Sequence, residues 1–297
     1  MDLRQLTTFR TLARTLSFTR TAAELNYVQS NVSAQIQALE SELGVRLFDR
    51  LGRRVAMTDA GRRLLDYANR VLKLVEEAHT VVAAADEVAG TVIISAPESL
   101  CTYRLPPLLG ELQTRYPHLQ IVFRPGPVAD LRRRVLAGEV DIAFLLDEPI
   151  TSPTLVMTSL GEEPICLVVS PTHSLAQLRL VRPADLASHH LLLTESGCSY
   201  RARFERRLAR SGLRPTISLE FASVEAIKQC AMLAMGVAVL PHLSIAAELD
   251  QGRLVALPWI DRTFSVLTQA IHHKERAHVR GIQAIVAAAT ELLAIAT

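Results

Sequence analysis

The sequence lacks most of what announces a function outright. Its four cysteines, Cys101, Cys166, Cys198 and Cys230, lie far apart with no C-x-x-C pair. That excludes a disulfide framework and a zinc-knuckle spacing, and fits a reducing compartment. No run of about 18 apolar residues occurs. The start, Met1-Asp2-Leu3-Arg4-Gln5, has neither the basic region nor the apolar core of a secretory signal. A soluble, cytoplasmic protein without a membrane partner is expected. Lysine is scarce, and the formal net charge is only +2. Residues 1 to 90 carry twelve basic and eleven acidic side chains, so global charge does not mark a nucleic-acid binder. A packaging protein that coats DNA without sequence preference is disfavoured, and any DNA binding must come from a local arrangement. There is no G-x-S-x-G elbow, P-loop or H-E-x-x-H, so neither an enzyme nor a cofactor is expected. The dense histidine stretch His272-His273-Lys274-Glu275-Arg276-Ala277-His278 reads as an exposed turn before the final helix, with no metal site.

What is present begins with periodicity. Leu3, Leu6, Phe9, Ala13 and Leu16 recur at spacings of three and four, which predicts an amphipathic helix. Phe18-Thr19 reads as staple and cap of a second helix running to Leu25, whose small Ala22 and Ala23 admit another helix closely. After a turn at Asn26-Tyr27, Val28, Val32, Ile36, Leu39 and Leu43 mark the buried face of a third. Two helices around so short a turn are a helix-turn-helix pattern. With Val32, Ile36 and Leu39 inward, Ser30, Ser33, Ala34, Gln37 and Ser41 face outward, and Gln29 stands at the exposed N-terminal end. This uncharged polar face suits the major groove, where Gln pairs with adenine and Ser donates or accepts, although an ordinary solvated helix side looks the same. The next segment tips the balance. Beyond Gly44, residues 47–58 read as two short strands around a turn, and Arg50, Arg53 and Arg54 supply cations for phosphates or an adjacent minor groove. A winged helix-turn-helix over residues 1–58, with duplex DNA as partner, is expected.

These residues carry a family resemblance. Phe18-Thr19-Arg20-Thr21-Ala22-Ala23-Glu24-Leu25, Gln29-Ser30-Asn31-Val32-Ser33-Ala34-Gln35-Ile36-Gln37-Ala38-Leu39-Glu40, Leu43-Gly44-Val45-Arg46-Leu47-Phe48-Asp49-Arg50 and Thr58-Asp59-Ala60-Gly61 resemble the DNA-binding signature of the LysR-type transcriptional regulators. Two departures stand out. Val28 replaces a usual Ser or Thr, which weakens the cap of the recognition helix, and Ala34 replaces a frequent Arg, so an operator sequence cannot be carried over.

A long helix follows from about Thr58 to Glu87, capped by Thr58 or Asp59, within a linker segment at residues 59–90. Leu64, Ala68, Val71, Val75, Ala78, Val82, Ala85 and Ala89 alternate at spacings of four and three. Such a seam pairs with the same helix of a second subunit or packs on its own chain, and its sustained phase favours pairing. The resemblance implies the same: a homodimer through this helix, and commonly a homotetramer.

Residues 91–297 change to short apolar runs between amphipathic helices, an α/β pattern. Strands are predicted at Thr91 to Ala96, Ile121 to Arg124, Ile142 to Leu146, Ile165 to Ser170, Leu191 to Thr194, Ile217 to Phe221, Val237 to Leu240 and Val266 to Ile271. Helices are predicted at Pro106 to Tyr116, Val128 to Ala137, Tyr200 to Ser211 and Val224 to Met235. The resemblance implies a periplasmic-binding-protein-like effector domain of two α/β subdomains, about 91–162 with 266–297 and about 163–265, joined by crossovers near Glu162 and Phe264.

An internal echo marks the candidate effector site. Cys101-Thr102-Tyr103-Arg104 follows one strand and Cys198-Ser199-Tyr200-Arg201 follows another. Facing each other, the turns would bring together Ser99, Cys101, Thr102, Ser196, Gly197, Cys198 and Ser199, with charge from Arg104 and Arg201. Coincidence with ordinary capping is the alternative. Pro127-Val128 and Ser223-Val224 are further candidates, or simple helix caps. A small organic anion is the expected effector. A second trigger, thiol or peroxide sensing, rests on Cys198 near a helix N-terminus. The competing class is a solute-binding protein, which the fused helix-turn-helix argues against.

Overall fold

Asp2 begins the first helix, α1 (Leu3–Thr15), with a capping box: its side chain accepts the Gln5 N–H while the Gln5 side chain accepts the Asp2 N–H. Two more helices, α2 (Phe18–Leu25) and α3 (Gln29–Leu43), and an antiparallel ribbon of β1 (Phe48–Leu51) and β2 (Arg54–Met57) complete the winged helix-turn-helix. The computed structural model describes residues 1–51, 54–83, 88–213, 218–261 and 263–293. The chain divides into two compact units, Met1–Gly90 with Leu136–Glu139, and Thr91–Val135 with Val140–Thr297.

The core of the first unit joins Leu6, Phe9 and Leu12 of α1 to Ile36 and Leu39 of α3, to Leu47 and Phe48 before the wing, and to Ala68 and Leu72 of the following helix. Several details differ from the sequence reading. Ser17, not Thr19, caps α2, accepting the Arg20 N–H at 3.4 Å. Leu3 is exposed, and Leu16, in the left-handed region at φ 48°, turns out of the core as the C-cap of α1. Ala22 is buried but Ala23 is exposed. Val28 and Leu43 are exposed because they sit at the two ends of α3, where the helix surface leaves the core. Val28 caps α3 without a side-chain bond, as its departure from the family pattern implies.

The linker helix α4 (Asp59–Ala83) begins at Thr58, whose hydroxyl accepts the Gly61 N–H at 3.0 Å. Gly61 admits no side chain, since a Cβ there would lie 2.3 Å from the Leu47 carbonyl oxygen. The expected seam is rotated. Ala68 is buried in its own unit's core and Leu64 packs against it, so neither faces a free surface. Instead Tyr67, Val71, Leu74 and Ala78, again at spacings of four and three, form an exposed stripe, with Val75 half-buried beside it. The Val82 side chain and Ala85 lie outside the described residues.

The second unit follows the expected α/β order: β3 (Gly90–Ser95), α5 (Glu98–Tyr103), α6 (Leu105–Arg115), β4 (Leu119–Phe123), α7 (Val128–Leu136), β5 (Ile142–Asp147), β6 (Leu155–Val169), β7 (Leu191–Thr194), α8 (Ser199–Arg210), β8 (Ser218–Phe221), α9 (Val224–Met232), β9 (Val237–Pro241), α10 (Ala246–Asp250), β10 (Val255–Ala256), β11 (Ser265–His273) and α11 (Arg280–Leu293). The sheet runs β4-β3-β5-β11-β6-β9-β7-β8. Each half thus repeats one plan, a central strand (β3 or β7) flanked by the two strands that follow it, with β3 parallel to β5 and β7 parallel to β8 and β9. The first half buries Leu131, Val135, Val140, Ala143, Leu145, Leu155 and Ile271, and the second Val168, Leu192, Val224, Ile227, Ala238 and Leu240.

Two strands join the halves. The first, β6, pairs with β11 over Leu155 to Pro164 and with β9 over Ile165 to Val168. At the switch, Ile165 N–H donates to the Phe264 carbonyl at 2.8 Å. Leu155 to Glu163 was not predicted as strand, and His272 and His273 prove to be the end of β11, His272 buried, not part of an exposed turn.

Candidate nucleic-acid interface and effector site

On α3, Gln29, Ser30, Ala34 and Gln37 are exposed and Ser33 is half-buried, because Val32, Ile36 and Leu39 turn inward. Gln29 Nε2 donates to Ser33 Oγ at 3.2 Å, which pre-arranges two groups of this face. Gln35, between Ala34 and Gln37 in sequence, points back: its Oε1 accepts the Thr8 hydroxyl at 2.7 Å and its Nε2 donates to Asn31 Oδ1 at 3.0 Å. The sequence reading missed Glu40. Its Oε1 accepts the backbone N–H groups of Leu47 at 2.7 Å and Phe48 at 3.1 Å, tying the end of α3 to the wing. A carboxylate one position from the buried Leu39 was the available signal. Arg50 and Arg54 stand on β1 and β2, while Arg53 lies outside the described residues.

In the second unit, the turn before α8 meets the other half at the end of β5 and at α7. Ser199 Oγ donates to the Leu146 carbonyl at the end of β5, and a Cβ on Gly197 (φ +96°) would touch the Ala129 Cβ of α7 at 3.4 Å. Arg206 pairs with Glu148 at 3.0 Å across the same boundary. The imagined ring of hydroxyls does not form. Ser199 is occupied by Leu146, and Ser99 is buried, leaving Thr102 and Ser196 exposed. Nor are the arginine side chains turned toward such a ring. Arg104 donates to the Leu293 carbonyl at 2.7 Å, and Arg201 is held by Glu205 at 2.8 Å and Glu220 at 2.6 Å. Pro127 is exposed, and Val128 packs against the first half's core. Ser223 is both: it caps α9 and reaches Glu98 of the other half at 3.0 Å. Cys101 Sγ donates to the Ala96 carbonyl at 3.2 Å, and burial pushes its pKa up to about 11. Burial likewise raises the Cys198 thiol, outweighing the nearby backbone N–H groups of Arg201 and Tyr200 that favour its thiolate.

Comparison with known proteins decides what this arrangement is. Residues 3–62 match the model of the bacterial regulatory helix-turn-helix protein, lysR family, and residues 85–294 match that of the LysR substrate binding domain. The chain is 40% identical over 277 residues to the uncharacterized HTH-type transcriptional regulator YwqM of Bacillus subtilis, covering 93% of this chain and 94% of that protein. It belongs to the LysR family of transcriptional regulators. As a LysR-type protein it is a DNA-binding transcription regulator with an effector-binding domain, and not an enzyme. It is also 32% identical over 275 residues to GltR of Bacillus subtilis, covering 93% of this chain and 91% of that one. Among solved structures, full-length CbnR complexed with its target DNA superposes with a TM-score of 0.68 at 22% identity, covering 98% and 99% of the two chains. A full-length OxyR variant from Pseudomonas aeruginosa gives 0.76 at 22% identity, covering 97% and 94%. These two likenesses establish the fold. Among the described residues of this LysR-type regulator, no helix is long and apolar enough to cross a membrane, and no cluster of three potential metal ligands occurs.

Proposed function

We propose that this regulator, acting in the cytoplasm, reads a specific operator through α3 and is switched by a small organic anion held where the two halves of its second unit meet. The observation that carries the DNA reading is the uncharged face of exposed Gln29, Ser30, Ala34 and Gln37 with half-buried Ser33, on a helix pinned to its wing by Glu40. Gln29→Ala is expected to lower discrimination at one base pair by about 1–3 kcal/mol, while the salt dependence of binding stays unchanged. Gel shifts with DNA from upstream of the protein's own gene, and with single-base variants of it, measure this. Unaltered base preference would mean that another surface reads the operator.

The exposed stripe Tyr67, Val71, Leu74 and Ala78 supports pairing of α4 with its counterpart in a second copy, and hence a homodimer that can build a tetramer. Leu74 is 64% exposed. Leu74→Glu places charges facing each other in such a seam and is expected to shift sedimentation from dimer to monomer, with loss of operator affinity. A variant that stays dimeric would move the interface elsewhere.

The effector reading rests on α8, a helix of 12 residues. Its Ser196-Gly197 approach is exposed and faces the other half, and its first N–H groups favour an anion. Calorimetric titration with a panel of small carboxylates and phosphates tests it. Tight binding of a cationic or wholly apolar ligand instead would overturn it. Burial of Cys198, which disfavours its thiolate, supports a structural role for this residue over peroxide sensing.

A further inference from the structure

Glu98 makes a contact across the two halves for which the effector reading has no use. It is the first residue of α5, immediately beyond β3, yet its side chain ends on α9. Its Oε2 accepts the Val224 backbone N–H at 2.7 Å, and its Oε1 accepts the Ser223 hydroxyl at 3.0 Å. Ser223 is the N-cap of α9, and its Oγ in turn accepts the Ala226 N–H at 3.4 Å. The first N–H of this nine-residue helix, that of Val224, and the hydroxyl of its cap are thus both satisfied by a carboxylate from the opposite half, placed at the positive end of the helix.

Tyr103, at the other end of α5, makes a second tie to the same helix. Its hydroxyl donates to Glu225 Oε2 at 3.1 Å and accepts from Lys228 Nζ at 3.2 Å, and that ammonium lies 5.0 Å from the ring centroid. Lys228 is buried and also pairs with Glu225 at 3.0 Å and Glu248 at 2.9 Å. Both ends of α5 therefore grip α9, one with a charge and one with a ring.

We infer that Glu98 is a tethered anion: seated at the start of α9, it latches the two halves together in the absence of effector, and an acidic effector acts by taking its place. Only the last clause rests on the proposed effector class. A ligand carboxylate would compete with Glu98 for the same two donors. Because Glu98 is attached, its effective concentration is high, and an acid without further contacts does not displace it. Once displaced, it leaves Tyr103 as the remaining polar tie from α5 to α9, and the halves, joined by β6 and β11, change their relative angle.

Hydrogen exchange of the full-length protein, followed at the amides of residues 224–227, is the test. Glu98→Ala is expected to speed exchange there by about tenfold, the effect of losing a hydrogen bond to a charged group. Sodium formate, which returns a carboxylate in trans, should restore protection in this variant, while sodium chloride at equal concentration should not. Glu98→Gln, nearly isosteric and so safe for folding, should show a smaller acceleration in the same amides. Unchanged exchange in both variants, or equal responses to formate and chloride, would overturn the latch. If the latch holds but no acid that binds the parent protein alters protection at Val224, the displacement clause falls alone.

Discussion

Phe9→Ala is expected to unfold the DNA-binding unit while leaving the effector-binding unit intact. Phe9 is fully buried, and its ring centroid lies 5.5 Å from that of Phe48, so α1 is packed directly onto the first wing strand. Truncating such a side chain costs about 3–5 kcal/mol, a large part of the roughly 5–15 kcal/mol that holds a typical domain together. The protein offers a convenient way to see which unit fails. Its only tryptophan, Trp259, is buried in the second unit, 6.1 Å from the Phe204 ring. Tryptophan fluorescence therefore reports the second unit, while circular dichroism reports both. The expected melt shows an early loss of helical signal, an unchanged fluorescence transition and no operator binding between the two. Coincident transitions in the variant would show that the units do not unfold separately.

Lys228→Met is expected to strike the other unit, by about 3–5 kcal/mol, because it leaves a buried carboxylate without its nearest cation. The Glu248 side chain is only 8% exposed, and its remaining partner is Arg253 at 3.2 Å. Burial works against the Lys228 charge, but hydrogen bonds to Glu248, Tyr103 and Glu225 outweigh it and hold the ammonium above the ordinary lysine range. A raised lysine pKa contributes stability below its unfolded value and loses it only as pH climbs through the folded one, so this pairing is constant across neutral pH. Denaturant titration followed by Trp259 fluorescence gives the midpoint shift. Adding Glu248→Leu to Lys228→Met should recover much of the loss, since the pair is then replaced by apolar groups. A double variant no better than the single one would mean that packing, not the stranded charge, sets the effect.

Periodicity made the helix-turn-helix legible, because Val32, Ile36 and Leu39 repeat on one face and that face is buried in its own unit. It was less informative at the ends, where Val28 and Leu43 keep the spacing but the helix has already left the core. In α4 the same kind of pattern fits two adjoining stripes. Leu64 and Ala68 belong to the stripe that covers the unit's own core, while Tyr67 and Leu74 belong to the exposed one, and spacing alone does not say what covers a face. Apart from the two-residue β10, the strands were readable as apolar runs except at Leu155 to Glu163, where Thr158, Ser159, Gly161, Glu162 and Glu163 interrupt the run. Pairing with β11 supplies what propensity does not.

The echo of Cys101 to Arg104 in Cys198 to Arg201 marked two segments that each touch the opposite half, α5 on α9 and the second turn on β5, but misjudged the side chains. The partner of Arg104 is the Leu293 carbonyl, near the far end of the chain, and Arg201 is claimed by Glu205 and Glu220. Glu98 went unnoticed for the same reason. Its partners, Ser223 and Val224, come close only when the second half is built, and no local pattern encodes such a distant meeting.

The place of β11 in the sheet has a consequence for how the protein is made. This strand lies between β5 and β6, in the middle of the sheet, yet in sequence it follows every other strand. During synthesis the DNA-reading head and the strands of the second half are complete while β5 still waits for its antiparallel neighbour. A chain ending before Ser265 would carry an open strand edge, the kind of surface on which nascent chains aggregate. The regulator therefore completes its control apparatus only once β11 has emerged, long after its DNA-reading head.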